Sequence, residues 1–372
     1  MLVGLSGGVD SSVAAVRLLA RGFDVVGVTL HLYEPENPTD APSRCCAPED
    51  IDDARKTAAA LGIPFYVFDR TRDFSAEVVN PFVEAYLDGS TPSPCVACNR
   101  EVKIGAFEKL ARMLGATAFA TGHYARAGAI DGVPALLRGA DRDKDQSYFL
   151  YGIGDKALSM LVCPLGESDK PSVRNEARAA RLPNADKPDS EDLCFTGGDH
   201  SSFVAARAKD RVRPGPIVDG DGRIVGQHDG VHRFTIGQRK GLGIALGRPA
   251  FVTDIDAATA TVRVGGASDV DTTVASLVGV TWLDSPPAIG ERRAVTARIR
   301  YRHEGTAAEV SPTGTDTAFV RFLVSARAVT RGQACVLYDA DRVIAGGTLT
   351  GASFETATSC VSPPISTAPS LR

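Results

Sequence analysis

The chain has 372 residues, of which 44% are hydrophobic and 23% charged, and a formal net charge of −4. At about 150 residues per domain, this length implies two or three domains with enough core to fold without disulfide staples, and the composition excludes a disordered or collagen-like chain. No run approaches the ~18 uninterrupted apolar residues of a membrane span, and the first ten residues, MLVGLSGGVD, lack the basic and apolar segments of a secretory signal.

Residues 2–5 form a short apolar strand that leads into a helical stretch at 9–21, with Val9, Val13, Val16 and Ala20 at helical spacing. Residues 24–30 read as a buried strand. Residues 49–61 are alanine-rich, acidic at the start and closed by Gly62, as a helix should be. A strand follows at 65–68, helices at 74–87 and 100–114, and a strand at 116–120 that runs into Thr121-Gly122-His123-Tyr124. Strands spaced by helices predict an α/β domain with a parallel sheet, and ligands sit at the carboxyl ends of such strands. Residues 141–210 turn mainly helical, with Ser168-Asp169 before Pro171 as one helix start and 173–182 fitting that helix. Beyond Arg213-Pro214-Gly215-Pro216, β-branched runs at 260–264, 294–302, 318–324 and 334–338 carry the texture of small β-barrels. Residues 359–372 are Ser, Thr and Pro with little apolar content, which predicts disorder. The expected units are a catalytic domain at 1–205, with a helical extension from about 141, a central β-rich domain at 206–275, a C-terminal β-barrel at 276–352 and a tail at 353–372.

Charge is unevenly spread. Residues 207–248 hold nine lysines and arginines against four aspartates, net +5, and 291–305 hold five arginines against two glutamates, net +3. Two basic segments on an otherwise acidic chain suit local contact with a phosphate backbone.

Ser6-Gly7-Gly8-Val9-Asp10-Ser11-Ser12 lies between the first strand and the first helix. The glycines let the backbone turn tightly, and several N–H groups then face outward in front of a helix N-terminus, which makes an anion site. The lysine of a Walker loop is missing. A strand–turn–helix junction capped by Asp10 or Ser11 is the plainer alternative.

Eight cysteines without an export signal predict thiols in a reducing cytoplasm. Cys95-Val96-Ala97-Cys98 ends a loop, with a helix expected to begin near Asn99 or Arg100. A thiol at a helix N-terminus beside a basic residue is biased toward thiolate. Three readings stay open here: a redox pair, half a zinc site completed by Cys45-Cys46, and a single nucleophile at Cys98. The vicinal Cys45-Cys46 fits the usual zinc spacing poorly. Cys194 follows the acidic Asp189-Ser190-Glu191-Asp192, an odd setting for a core thiol and one that raises its pKa.

At this point the sequence resembles the tRNA-specific 2-thiouridylases, a family of ATP pyrophosphatases. The resemblance spans nearly the whole chain. It rests on residues 6–12, Cys98-Asn99-Arg100-Glu101-Val102-Lys103, Thr121-Gly122-His123-Tyr124, Asp143 to Leu150, 190–195, Thr235 to Ile244 and Arg300-Tyr301-Arg302. It implies that Gly4, Leu5, Ser6, Gly7, Gly8, Val9, Asp10 and Ser11 hold the ATP phosphates, with Leu30 and Gly122 bordering the adenosine. Cys98 matches the nucleophile and Cys194 the cysteine that carries a persulfide and pairs transiently with Cys98. Ser93, Pro94 and Cys95 match contacts to the target base, although Ser93 stands where members commonly have Asn and Cys95 where some have Asp. Lys144, Asp145, Gln146, Arg300 and Tyr301 match tRNA-contacting positions, and His123 and Gln333 further tRNA-recognition positions. The implied reaction is ATP-dependent 2-thiolation of a wobble uridine, with magnesium near Asp10 and no structural metal site. The implied partners are tRNAs for lysine, glutamate and glutamine and a cysteine desulfurase or sulfur-relay protein. Another ATP pyrophosphatase, such as a GMP-synthetase-like amidating ligase, would keep the loop but need no Cys98/Cys194 pair. A zinc-stabilised nucleic-acid-binding module is the alternative of a different class.

Overall fold

Leu2, Val3 and Leu5 point alternately to the two sides of the chain, and all three are buried. A strand apolar on both faces belongs in the middle of a parallel sheet covered by helices. In the computed structural model, which describes residues 1–34, 48–189 and 193–353, this strand is central. The sheet contains β1 (Leu2–Gly4), β2 (Val26–His31), β3 (Phe65–Asp69), β4 (Phe119–Ala120) and β7 (Leu161–Val162), in the order β3-β2-β1-β4-β7. All four pairings are parallel, with Leu2 opposite both Val26 and Phe119. On one face Val3 and Leu5 pack with Ala14, Leu18, Ala54 and Ala58 from the helices Val9–Ala20 and Pro48–Leu61. On the other, Leu2, Val28 and Leu30 pack with Phe74, Phe82, Val102 and Phe107. Cys45, Cys46 and the tail from 354 lie outside the described residues, so the zinc and disorder readings are left there.

Two local expectations need correction. The helix expected near Asn99 or Arg100 begins at Pro94 and runs on to Met113, with a π-helical stretch at Cys98–Ile104. Pro94 is the first helical residue, a position that needs no N–H and suits the fixed φ of proline. Residues 141–210 hold helices at Asp155–Met160, Lys170–Ala179 and His200–Ala208, but turns fill most of the remainder. Asp169 caps the second of these helices, accepting the Ser172 N–H at 2.7 Å.

An unanticipated hairpin, β5 (Ala125–Ile130) and β6 (Val133–Arg138), leaves the catalytic domain and joins the C-terminal sheet. The central region forms a four-stranded sheet of β8 (Gly215–Val218), β9 (Ile224–His228), β10 (Phe251–Asp256) and β11 (Thr261–Gly265), packed on Ile217, Phe234, Val252 and Val262. The last region contains β12 (Asp271–Trp282), β13 (Arg293–Arg298), β14 (Thr306–Pro312), β15 (Thr317–Arg327), β16 (Ala334–Asp339) and β17 (Arg342–Ser353). Pairing of β12 with β17 closes these six into a barrel, which removes exposed sheet edges. Leu277, Val310, Val320, Leu337 and Ile344 fill its interior. The strand expected at 294–302 stops at Arg298, so Arg300 and Tyr301 stand in the turn beyond it.

Candidate active site

The chain leaves β1 through Leu5 and turns at Ser6-Gly7-Gly8 into the helix that starts at Val9. Gly7 has φ +75°, and a Cβ there would fall 2.3 Å from the Asp50 carbonyl oxygen, so the turn requires glycine. Gly8 caps the helix without a side-chain bond, which leaves the N–H groups of the first turn available to an anion. The loop is internally braced. The Ser11 hydroxyl donates to the Gly8 carbonyl at 3.0 Å and accepts the Ser6 N–H at 3.1 Å. Buried Asn184 donates to the Gly7 carbonyl and to Ser12 Oγ, both at 2.9 Å. Gly122, just past β4, lies so close that a Cβ would sit 2.7 Å from the Ser11 nitrogen. Leu30 is buried near the end of β2. Residues 4–11, Leu30 and Gly122 therefore share the carboxyl rim of the sheet, where open α/β sheets take nucleotides.

Asp10 is not an open metal ligand. Both its oxygens lie 2.8 Å from Lys170 Nζ, and Oδ1 also accepts the Tyr124 hydroxyl at 2.9 Å. The expected magnesium near Asp10 would meet a carboxylate that already pairs with Lys170. Lys170 is 9% exposed and also reaches Asp189 at 2.7 Å. Neither Lys170 nor Asn184 is marked by any motif around the loop; both are distant in the chain and arrive by folding.

Cys98 lies in the π-helical stretch, buried, in the same core cluster as Leu2, Val28 and Leu30. π-Turns inside helices are frequent at functional sites. Cys95, which is exposed, rather than Cys98 occupies the first helical turn, so the helix-terminus argument for a thiolate passes to Cys95. Cys194 packs against the same cluster as Cys98, half-buried. Its neighbour Phe195 anchors that segment among Tyr33, Phe74, Phe82 and Phe203, with ring centroids 5.0 to 6.3 Å away. Folding thus brings both cysteines to the core cluster on the sheet face of Leu2, Val28 and Leu30. Among the described residues no disulfide forms, and no three His, Cys, Asp or Glu side chains converge as metal ligands would. Cys163 and Cys335 are inert by contrast: burial pushes each thiol up to about 12.

The segment before Cys98 is held from the C-terminal side. Gln333 donates to the carbonyls of Thr91 and Pro92 at 2.9 and 3.1 Å, and the Ala334 N–H donates to Ser93 Oγ at 3.1 Å. Thr91 Oγ1 also meets Thr235 Oγ1 of the central region at 3.0 Å. Gln333 therefore positions Ser93, Pro94 and Cys95, with Pro94 itself buried. Behind this segment a cleft of about 360 Å³ runs between Val96, Ala97 and Arg100 on one side and Tyr151, Gly332 and Leu349 on the other.

His123 follows Gly122, its Nδ1 2.8 Å from Thr121 Oγ1. Burial, with the Lys103 ammonium added, pushes its imidazole down to about 3, so it is neutral at working pH. The Lys144-Asp145-Gln146 run does not act as one surface. Lys144 is partly exposed and pairs with Asp189 at 2.9 Å. Gln146 accepts the Tyr124 N–H at 3.0 Å. Asp145, expected to contact RNA, is buried and holds Arg298 at 2.8 Å and the N–H groups of Gly139 and Ser147 at 3.0 Å. Its side chain is only 1% exposed, and in this conformation it acts as an anchor. Arg298 in turn donates to the carbonyls of Tyr301 and His303. Tyr301 packs against Phe149 with ring centroids 4.5 Å apart and planes tilted by 37°, and Arg300 beside it is exposed. Arg298 was not legible as a site residue because its partner lies in another domain.

A phosphate-loop α/β domain whose core takes up two cysteines distant in sequence, followed by two β domains, defines an ATP-using enzyme of the pyrophosphatase type. Residues 1–198 match the family described as tRNA methyl transferase HUP domain, 201–266 the tRNA methyl transferase PRC-barrel domain and 276–349 the Aminomethyltransferase beta-barrel domain. The tRNA-specific 2-thiouridylase MnmA of Sorangium cellulosum (strain So ce56) is 50% identical over 358 residues, covering 95% of this chain and 92% of that protein. The protein of that name from Carboxydothermus hydrogenoformans is 44% identical over 356 residues, covering 94% of this chain and 97% of its own length. The chain belongs to the tRNA-specific 2-thiouridylase family.

Proposed function

We propose that this protein is a tRNA-uridine 2-sulfurtransferase that converts a wobble uridine to 2-thiouridine and ATP to AMP and pyrophosphate. The observation that carries the reading is that Cys98 and Cys194, far apart in sequence, pack into one core cluster that also holds Leu30 of β2. The family descriptions speak of methyl transfer, yet a cysteine pair in a phosphate-loop domain is what thiolation uses. An amidating ligase has no need of the pair.

The C2 oxygen of uridine is a poor leaving group. Its attack on the α-phosphorus of ATP expels pyrophosphate and leaves AMP on that oxygen. The terminal sulfur of a Cys194 persulfide then attacks C2, and AMP departs. The Cys98 thiolate attacks the Cys194 sulfur, the S–S bond breaks, and the outer sulfur remains on C2 as the thione. The alternative order has Cys98 releasing hydrosulfide from the persulfide first. In both, the outer sulfur of the persulfide leaves at the sulfide level, the two cysteines are left oxidised as a Cys98–Cys194 disulfide, and a dithiol reductant supplies the two electrons that reopen it. Residues 4–11 with Leu30 and Gly122 receive the ATP. Magnesium enters with the triphosphate as its charge partner, with no protein ligand assigned. The target base leaves the anticodon stack to reach the cysteines, between Ser93-Pro94-Cys95 and His123. Lys144, Gln146, Arg300 and Tyr301 lie toward the RNA, with Asp145 and Gln333 holding that surface from behind. We take residues 1–205 as the catalytic unit and 206–275 and 276–352 as the docking units. A cysteine desulfurase or sulfur-relay protein loads Cys194, and the reaction belongs in the cytoplasm, where tRNA resides and disulfides are reduced. Among the described residues no helix is long and apolar enough to cross a membrane.

The reading predicts pyrophosphate release that depends on tRNA bearing a wobble uridine. Release unchanged when that base is replaced by cytidine contradicts it.

A further inference from the structure

Asp189 is the meeting point of three cations. Its carboxylate lies 2.7 Å from Lys170 Nζ, 2.9 Å from Lys144 Nζ and 2.9 Å from the Arg174 guanidinium. Each cation reports to a different neighbourhood. Lys170 holds both oxygens of Asp10 in the first turn of the phosphate-loop helix. Lys144 opens the run that braces Tyr301 through Asp145 and Arg298. Arg174 also donates to the carbonyls of Ala185 and Lys187, on the chain leading up to Asp189. Cys194 follows five residues later, so the chain places it within about 18 Å of this hub.

A set of solvated surface pairs does not account for this arrangement. Lys170 is only 9% exposed, and a lysine so enclosed costs desolvation free energy that its two carboxylates must offset. Three cations meet the carboxylates of Asp10 and Asp189, and a third carboxylate, Asp141, accepts the Lys170 backbone N–H at 3.1 Å. The contiguous path Asp10–Lys170–Asp189–Lys144 therefore joins the nucleotide end of the site to its RNA end, at the root of the segment that carries Cys194.

We propose that Asp189 is a positioning residue that couples ATP consumption to sulfur transfer by holding Lys170 and Lys144 on its two oxygens. The inference rests on the thiolation reading given above. With the hub intact, the adenylated base meets the persulfide of Cys194. With the hub broken, the adenylated base survives until water attacks C2 and AMP leaves. That branch regenerates uridine, and its net balance is one ATP and one water giving AMP and pyrophosphate, with no sulfur moved and no oxidation or reduction.

The test is the ratio of pyrophosphate released to 2-thiouridine formed, measured on the full chain with tRNA, ATP, a dithiol and a cysteine desulfurase with cysteine as the persulfide source. The wild type sets the baseline. Asp189→Asn raises the ratio about tenfold while tRNA affinity changes less than about threefold, and Asp189→Glu brings the ratio most of the way back. A merely structural role lowers both products together and leaves the ratio unmoved. Should Asp189→Asn fail to fold, Lys144→Gln removes one spoke from a partly exposed position and raises the ratio in the same direction. An unchanged ratio in either folded variant overturns the proposal. A wild type that forms no 2-thiouridine instead fails the underlying reading, and this shows before any variant is compared.

Discussion

At the scale of single residues, Arg298 and Asp145 decide how the turn that carries Arg300 and Tyr301 is held. Their ion pair is almost fully buried, with side chains 6% and 1% exposed. Removing one partner strands the other's charge. Asp145→Ala therefore destabilises the protein by about 3–5 kcal/mol in denaturant titration. Replacing the two together by Leu and Met recovers much of that loss, because the desolvation penalty vanishes with the charges. The double variant still binds tRNA more weakly, since Arg298 no longer latches the carbonyls of Tyr301 and His303. Thiol chemistry divides the same way between exposed and buried groups. Native protein treated with iodoacetamide near pH 8 is alkylated at Cys95 and spared at Cys335, whose thiol burial holds up near 12. Peptide mass spectrometry reads that pattern directly.

At the scale of elements, the close approach of β4 to the phosphate loop sets the nucleotide crevice. Gly122→Ala puts a Cβ against the Ser11 nitrogen and the Asp10 carbonyl carbon, at 2.7 and 2.8 Å. Both are backbone, so the loop itself must yield. The expected outcome is a KM for ATP raised about tenfold or more, with folding retained. The loop was legible in the sequence because its signal is local: strand, glycines, serines and helix follow one another without interruption. The start of the Cys98 helix was misplaced by a few residues because Pro94 reads as a breaker, although proline is at home in the first turn. The hairpin β5–β6 was missed because its outer neighbour, β17, comes from the far end of the chain. The burial of Asp145 was missed for the same reason, since Arg298 lies on β13. Motif spacing marks which residues matter; only the assembled domains show which of them face the ligand and which hold the others in place.

At the scale of the whole molecule, titration and charge set the working range. Burial lowers the imidazoles of His123, His200, His228, His232 and His303 below their ordinary value. The unfolded chain takes up protons on these groups near pH 6.5 while the folded chain does not. Stability is therefore full above about pH 7 and declines as pH falls toward 5. Asp189 works in a lower window: its carboxyl is held below the usual range against the opposing effect of burial, so its contribution is lost only as pH falls through the carboxylate range. Thermal melts between pH 5 and 7.5 should show Tm rising with pH, and His123→Gln should flatten part of that rise. The net charge of −4 conceals the basic segments of the β domains, and binding to tRNA through them weakens as salt is raised. The central claim, ATP-dependent sulfur transfer to a wobble uridine through Cys98 and Cys194, has one direct test. Protein, ATP, a dithiol, anticodon-matched tRNA and a cysteine desulfurase with cysteine as the persulfide source are incubated, and the digested nucleosides are read by mass spectrometry. The expected result is 2-thiouridine at the wobble position, lost without ATP and lost in Cys98→Ser and in Cys194→Ser. Full conversion in both cysteine variants, or conversion without ATP, would contradict the account.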